Sequence, residues 1–280
     1  MPQPTRILLQ TTIPFTEDDW HIGRFSRLAQ HLADLPGVEV TARDRGAPPG
    51  ETDPVLGALD TSDFDQLWLF AVDVGDGLNA EECAAIGRFR QAGGGMMVTR
   101  DHMDLGSSLC TLGGVGDAHY FHSKHLDPDP SRRCRDDQET RNIDWPNYHS
   151  GANGDFQTIR PVGARHPVLD GVDRLPAHPH EGAVGAPPEH RSAHVIATGV
   201  SQTTGRDFNI AVAFEPGDEG GPAIAESTFH HFADYNLDPA LGCPSFVDEP
   251  PGDGFARDPA ALAEAYRYFG NLAGWLGRRG

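Results

Sequence analysis

Apolar and polar positions along this chain switch between two periods. Arg6 to Thr12 is a short apolar run ending in hydroxyls, and Trp20, Ile22, Phe25, Leu28, Leu32 and Leu35 then recur mostly three or four apart. The pattern predicts strand, loop, amphipathic helix. Pro36-Gly37 stops that helix, Val38 to Ala42 reads as a second strand, and Gln66 to Val72 is a continuous apolar run suited to a buried parallel strand. Asn79 is placed to cap the next helix with Glu82 completing a capping box, Gly93-Gly94-Gly95 ends it, and Met96 to Thr99 is the following strand.

From about Leu112 to Pro188 the chain is rich in Gly, Pro, Asp and His and loses its periodicity, which predicts a set of site-forming loops. Short strands return at His194 to Thr198, Asn209 to Glu215 and Ala223 to Ser227, at spacings that predict some antiparallel pairing. Asp258-Pro259 opens a last helix with Leu262, Tyr266, Phe269, Leu272 and Leu276 on one face. Strands alternating with helices predict an α/β fold: a mostly parallel sheet, helices on both faces, and a binding crevice at the carboxyl ends of the strands. One domain spanning residues 1–280, with a loop-rich insertion at about 112–188, accounts for the length.

Composition narrows the function. With 41 acidic against 22 basic residues the net charge is -19, and Lys124 is the only lysine, so nucleic acid and anionic lipid are poor partners. No run approaches the ~20 apolar residues of a membrane span, and the start lacks the ordered regions of a signal peptide. A cytoplasmic protein acting on a small molecule is expected, and a homo-oligomer is compatible with this. Cys83, Cys110, Cys134 and Cys243 lack CxxC spacing and are read as reduced thiols.

The candidate chemistry starts at residues 93–114, where a glycine-rich turn feeds a strand that breaks into Arg100-Asp101-His102. This has the form of a nucleophile elbow, but without a thiol or hydroxyl at its tip. Cys110 follows too far along the chain to substitute, which disfavours cysteine amidotransferase chemistry. The elbow histidine, Leu112-Gly113-Gly114, His166-Pro167-Val168-Leu169-Asp170-Gly171, His180-Glu181 and Ser227-Thr228-Phe229-His230-His231 occur in an order that resembles the ThuA-like (trehalose-utilisation) family of the class I glutamine amidotransferase-like superfamily. The resemblance implies a three-layer, flavodoxin-like fold and an enzyme linked to sugar utilisation. The chain departs from the pattern at Arg100 and Asp101 beside the elbow histidine, at His230 in place of a glycine, and in the acidic turn, which lacks its aromatic residue.

Histidines and carboxylates crowd the segments expected at the strand ends: His21, Asp101, His102, Asp104, His119, His122, His180, Glu181, His230, His231 and Asp234. Imidazole and carboxylate suit a divalent transition metal such as zinc, iron or manganese. The expected ligands are drawn from His102, His230, His231, His180, His119 and His21, with His102, Asp101 and Glu181 as catalytic candidates. His21 fits a helix cap as well as a ligand, and His119 with His122 fits a solvated loop. If the strand before His230-His231 stays extended, only one of the pair enters the site. Two other readings stay open: metal-free acid–base catalysis by histidine, and a non-catalytic ligand-binding or regulatory module on an amidotransferase-like fold.

Overall fold

A computed structural model of the protein describes residues 3–137, 140 and 142–277. Its first half alternates strand and helix: β1 Thr5–Thr11, α1 Ser26–Ala33, β2 Val38–Arg43, β3 Gln66–Phe70, α2 Ala80–Gln91 and β4 Gly95–Thr99. Short strands follow, β5 His119–Tyr120, β6 Phe156–Thr158, β7 Arg160–Pro161, β8 Arg174–Pro176 and β9 Ala183–Val184. The second half contributes β10 Ala193–Val200, β11 Asp207–Phe214, β12 Ala223–Glu226, α3 Asp234–Leu237, α4 Gly254–Arg257 and α5 Pro259–Leu276.

The main sheet runs β2-β1-β3-β4-β12-β11-β10-β7. The strands from β2 to β12 are parallel, and β11, β10 and β7 extend the edge antiparallel. Alternate side chains feed two cores. Leu8, Leu67, Leu69, Met96 and Val98 pack with Ile86 and Phe89 of α2, whereas Ile7, Leu9, Trp68, Phe70 and Met97 pack with Leu28 and Leu32 of α1 and Phe269 and Leu272 of α5. Helices therefore cover both faces of the sheet, as the two periods of the sequence predict.

The expected capping box is present, with the Asn79 side chain accepting from Glu82 N–H and the Glu82 carboxylate accepting from Asn79 N–H. The first helix differs from expectation. A 3-10 turn at Ile22–Phe25 precedes α1, because Asp44 accepts from Ile22 N–H and Asp234 accepts from both Ser26 N–H and Arg27 N–H. Two separate carboxylates thus serve the amide donors of this stretch, and Trp20 is left ahead of it to face the strand ends. The segment at 112–188 carries two small antiparallel pairs, β5 with β9 and β6 with β8, and supplies β7 to the edge of the main sheet.

The carboxyl ends of the parallel strands are clamped together. Asp73, buried just beyond β3, accepts hydrogen bonds from Thr12 beyond β1 and from Ser108 beyond the elbow. It also closes a turn by accepting from Gly75 N–H, and so acts as a structural anchor. No helix among the described residues is long and apolar enough to cross a membrane.

Candidate metal centre

The elbow sends adjacent side chains in opposite directions. Arg100 is fully buried, lies 4.2 Å over the Phe121 ring, and donates to the carbonyls of Met103 and Tyr120. Burial drives its guanidinium down to about 9 against the opposing charge of Asp101. The turn closes through Met103, at a left-handed φ of 50° and tied by its N–H to the Pro146 carbonyl at 3.0 Å. Phe229 N–H donates to the Arg100 carbonyl at 2.9 Å, which joins the ends of β4 and β12. Asp101 and His102 face the crevice.

There Asp101, His102, His178, His180 and His230 line a cavity of about 380 Å³, with Trp20, Leu105 and Phe229 among its apolar walls. Asp101 Oδ1 stands 3.2 Å from His102 Nδ1 and 3.6 Å from His178 Nε2, and its Oδ2 stands 3.9 Å from His230 Nε2. These are ion-pair distances, at or beyond the long limit of a hydrogen bond. Asp101 Oδ1, His102 Nδ1 and His178 Nε2 are buried without a hydrogen-bond partner among the described residues, and ligand atoms of the three residues converge within 4.8 Å. Such convergence is costly unless another group satisfies it. A cation would, so the residues fit a metal.

Their electrostatics agree with that fit. Burial disfavours the Asp101 anion, but His102, His178 and His230 around it outweigh burial and hold its carboxyl well below the usual range. Burial pushes His178 down to about 3 and His230 well below its ordinary value, against the pull of Asp101. The Asp101 carboxylate and the neutral imidazoles of His178 and His230 are in the protonation states that metal ligation requires.

His180 is held differently. Asn147 donates its amide to the Ile143 carbonyl, which turns its Oδ1 towards His180 Nδ1 at 3.1 Å. On the other side of the ring, His180 Nε2 lies 2.8 Å from Glu249 Oε1. Both ring nitrogens face oxygen acceptors, an arrangement for holding and passing a proton rather than for offering a lone pair.

Several expected site residues lie outside this pocket. His231 is fully buried between Glu181, at 3.4 Å, and Glu226, at 3.0 Å. Burial lowers its basicity, but the two carboxylates dominate and raise it to about 10. Ser227 and Gln157 donate to Glu181, and Tyr268 donates to Glu226, completing an internal charged cluster. His230 and His231 diverge although they sit in a 3-10 turn, Phe229–His231, rather than an extended strand. His119 is enclosed on β5, where burial pushes it down to about 3. His21 caps the 3-10 turn by accepting from Gly23 N–H, and its ring lies against Phe15. Asp104 accepts from Ser123, His122 bonds the Trp145 carbonyl, and Asp234 caps α1. Cys110 is half-buried against the core that includes Ile86 and Phe89, and burial raises its thiol pKa.

Two participants escape the sequence reading. His178 had a usable signal, since Pro179 favours an extended His178, and alternate residues of an extended segment share a face, aligning His178 with His180. Glu249 lies in an aperiodic Pro- and Asp-rich segment and had none. Two other groups with ligand spacing, His166 with His194 and Glu215, and Asp117 with Glu189 and His190, lie away from this pocket and include exposed members.

No protein-family model matches the chain, and no curated protein matches it. Among solved structures, the chain is similar to the glutaminase domain of Trypanosoma brucei CTPS with bound acivicin, at 13% identity and a TM-score of 0.50, covering 99% of this chain and 98% of that one. It is also similar to a putative ThuA-like protein from Parabacteroides merdae, at 15% identity and TM-score 0.44, covering 90% and 96%. A cytoplasmic protein from Salmonella typhimurium LT2 matches at 9% identity and TM-score 0.49, covering 96% and 98%. Identities this low establish the fold alone, and the glutaminase likeness, spanning nearly both chains, gives it as the class I glutamine amidotransferase-like α/β fold.

Proposed function

We propose that the strand-end pocket binds one divalent transition metal through Asp101, His102 and His178, with His230 as a fourth donor, and that the protein performs acid–base chemistry there on a small polyol or sugar-derived molecule. The observation that carries this reading is the convergence of the buried atoms Asp101 Oδ1, His102 Nδ1 and His178 Nε2, which meet only one another at ion-pair distances. A nitrogen-rich set with one carboxylate suits zinc, iron or manganese better than magnesium or calcium. When bound, the ion would act as a Lewis acid on a ligand oxygen.

The chain's own groups divide the remaining work. The His180–Glu249 pair faces the same cavity and is placed to hold or deliver a proton at Glu249 Oε1 or His180 Nε2. Trp20, Leu105 and Phe229 exclude water from one wall, and the volume of about 380 Å³ admits a molecule of monosaccharide size. Without a thiol at the elbow, a covalent acyl intermediate has no place in this account.

Thermal unfolding of untagged protein tests the reading. Binding to the native state alone adds about 2.7 kcal/mol at a hundredfold excess over Kd, so chelation should lower Tm and zinc or manganese should restore it. His178→Ala should remove the response, and His31→Ala, on α1 and outside every group with ligand spacing among the described residues, should keep it. A chelator-insensitive Tm in protein that also fails to take up metal would overturn the proposal.

A further inference from the structure

The hydrogen bonds behind His178 and His230 form a chain that begins at a group with no choice of role. The Ala177 carbonyl can only accept, so the Asn236 amide nitrogen that meets it at 3.0 Å is a donor and the Asn236 Oδ1 must face the other way. That oxygen lies 2.9 Å from His230 Nδ1. The same Asn236 nitrogen donates to Asn153 Oδ1 at 2.8 Å, which fixes the Asn153 amide in turn. Asn153 Oδ1 then lies 2.9 Å from His178 Nδ1. Each imidazole therefore meets an acceptor at Nδ1.

We infer that Asn236 and Asn153 are positioning residues that lock His178 and His230 into the Nδ1–H tautomer, leaving both Nε2 lone pairs bare and directed at Asp101. Both asparagines are buried, so neither can exchange its partner for water. Asn236 is held on α3, and Ala177 precedes His178 in the chain, so one carbonyl orients the ligands contributed by two distant segments. His180 also meets an asparagine oxygen at Nδ1, but its Nε2 is engaged by Glu249 at 2.8 Å and is not left bare. The inference rests on the proposed metal reading only for its consequence: a fixed tautomer raises metal affinity, and losing such a partner typically weakens it 10- to 100-fold.

Long-range 15N–1H NMR of the metal-free full chain, assigned with single-histidine substitutions, reads the tautomers directly. His178 and His230 should carry their proton on Nδ1. Asn236→Leu should release His230, and Asn153→Leu, the second variant if the first does not fold, should release His178. Asn236→Asp keeps an acceptor at His230 but loses the donor that orients Asn153, so His178 alone should change tautomer. A merely structural asparagine would not give that pattern. Zinc competition against a chromophoric chelator should show 10- to 100-fold weaker binding for each Leu variant. Protons on Nε2 in the wild-type protein, or unchanged zinc affinity in both Leu variants, would overturn the inference. Nδ1–H tautomers in a wild-type protein that binds no zinc would sustain the lock and reject the metal reading.

Discussion

The imidazoles of His178 and His230 lie face to face, 3.5 Å between ring centroids and 13° from parallel, with both Nε2 atoms turned to Asp101. Two imidazolium rings at that separation would repel strongly in a buried pocket, whereas neutral rings stack. Burial already drives both towards the neutral form. The stacked pair is therefore a source of lone pairs at neutral pH, and that property links fold, stability and proposed chemistry.

The pH dependence of stability follows with a definite sign. In metal-free protein His178 and His119 titrate near 3 in the folded state, against about 6.5 in the unfolded chain. Between those values the unfolded chain binds more protons, so stability should fall as pH drops from about 6.5. His231, raised to about 10, acts oppositely: its contribution is complete below about 6.5 and is lost as pH rises through 10. The urea midpoint should peak near neutrality and decline on both sides. A midpoint that is flat from about pH 4 to 6.5 would contradict the neutral buried histidines.

Gly182 is predicted to be intolerant of any side chain. A Cβ there would come within 2.5 Å of Arg100 Nε and 2.7 Å of the Asp101 carbonyl, while Gly182 N–H already donates to the Ser227 carbonyl at 3.0 Å. The segment carrying His178 and His180 is thus pressed against the elbow. Gly182→Ala should cost about 1–3 kcal/mol by urea unfolding and weaken zinc binding together with stability. Wild-type values for both would show that the elbow has more room than this packing allows.

His231 should behave as part of the core. Removing it leaves Glu181 and Glu226 buried without their counter-ion, and breaking such a cluster costs about 3–5 kcal/mol. His231→Gln should therefore lower the urea midpoint strongly while the folded protein keeps its full zinc stoichiometry. Lost zinc at unchanged stability would make His231 a ligand.

Much of the fold could be read from the sequence, because its determinants are local. The period change between Arg6–Thr12 and Trp20–Leu35, the Asn79–Glu82 box and the Gly93–Gly95 stop each report short-range geometry, and the elbow after β4 stands out where an apolar strand breaks into Arg100-Asp101-His102. The site was less legible, since membership depends on long-range packing. Glu181 and His180 are neighbours, yet alternation sends the first into the His231 cluster and the second into the pocket. His21 and Asp234 have the right chemistry but are engaged in capping. Glu249 reaches His180 across a separation in the chain that no spacing rule spans.

Cys110 should be inert as an amidotransferase nucleophile. It sits half-buried on the 3-10 turn Ser107–Thr111, packs against the core, and burial raises its thiol pKa. A thiol-directed glutamine analogue should leave it unmodified by mass spectrometry under conditions that label a free low-pKa thiol. A stoichiometric adduct on Cys110, accompanied by loss of a glutaminase activity, would reverse this conclusion.

The central claim is a metal held at the end of β4, and anomalous diffraction from crystals of untagged protein, paired with elemental analysis, tests it most directly. The account predicts about one zinc, iron or manganese per chain, with Asp101, His102 and His178 at roughly 2.0–2.2 Å from the ion and His231 outside its coordination. Less than about 0.1 metal per chain, with no anomalous peak in this pocket after soaking in zinc or manganese, would contradict it.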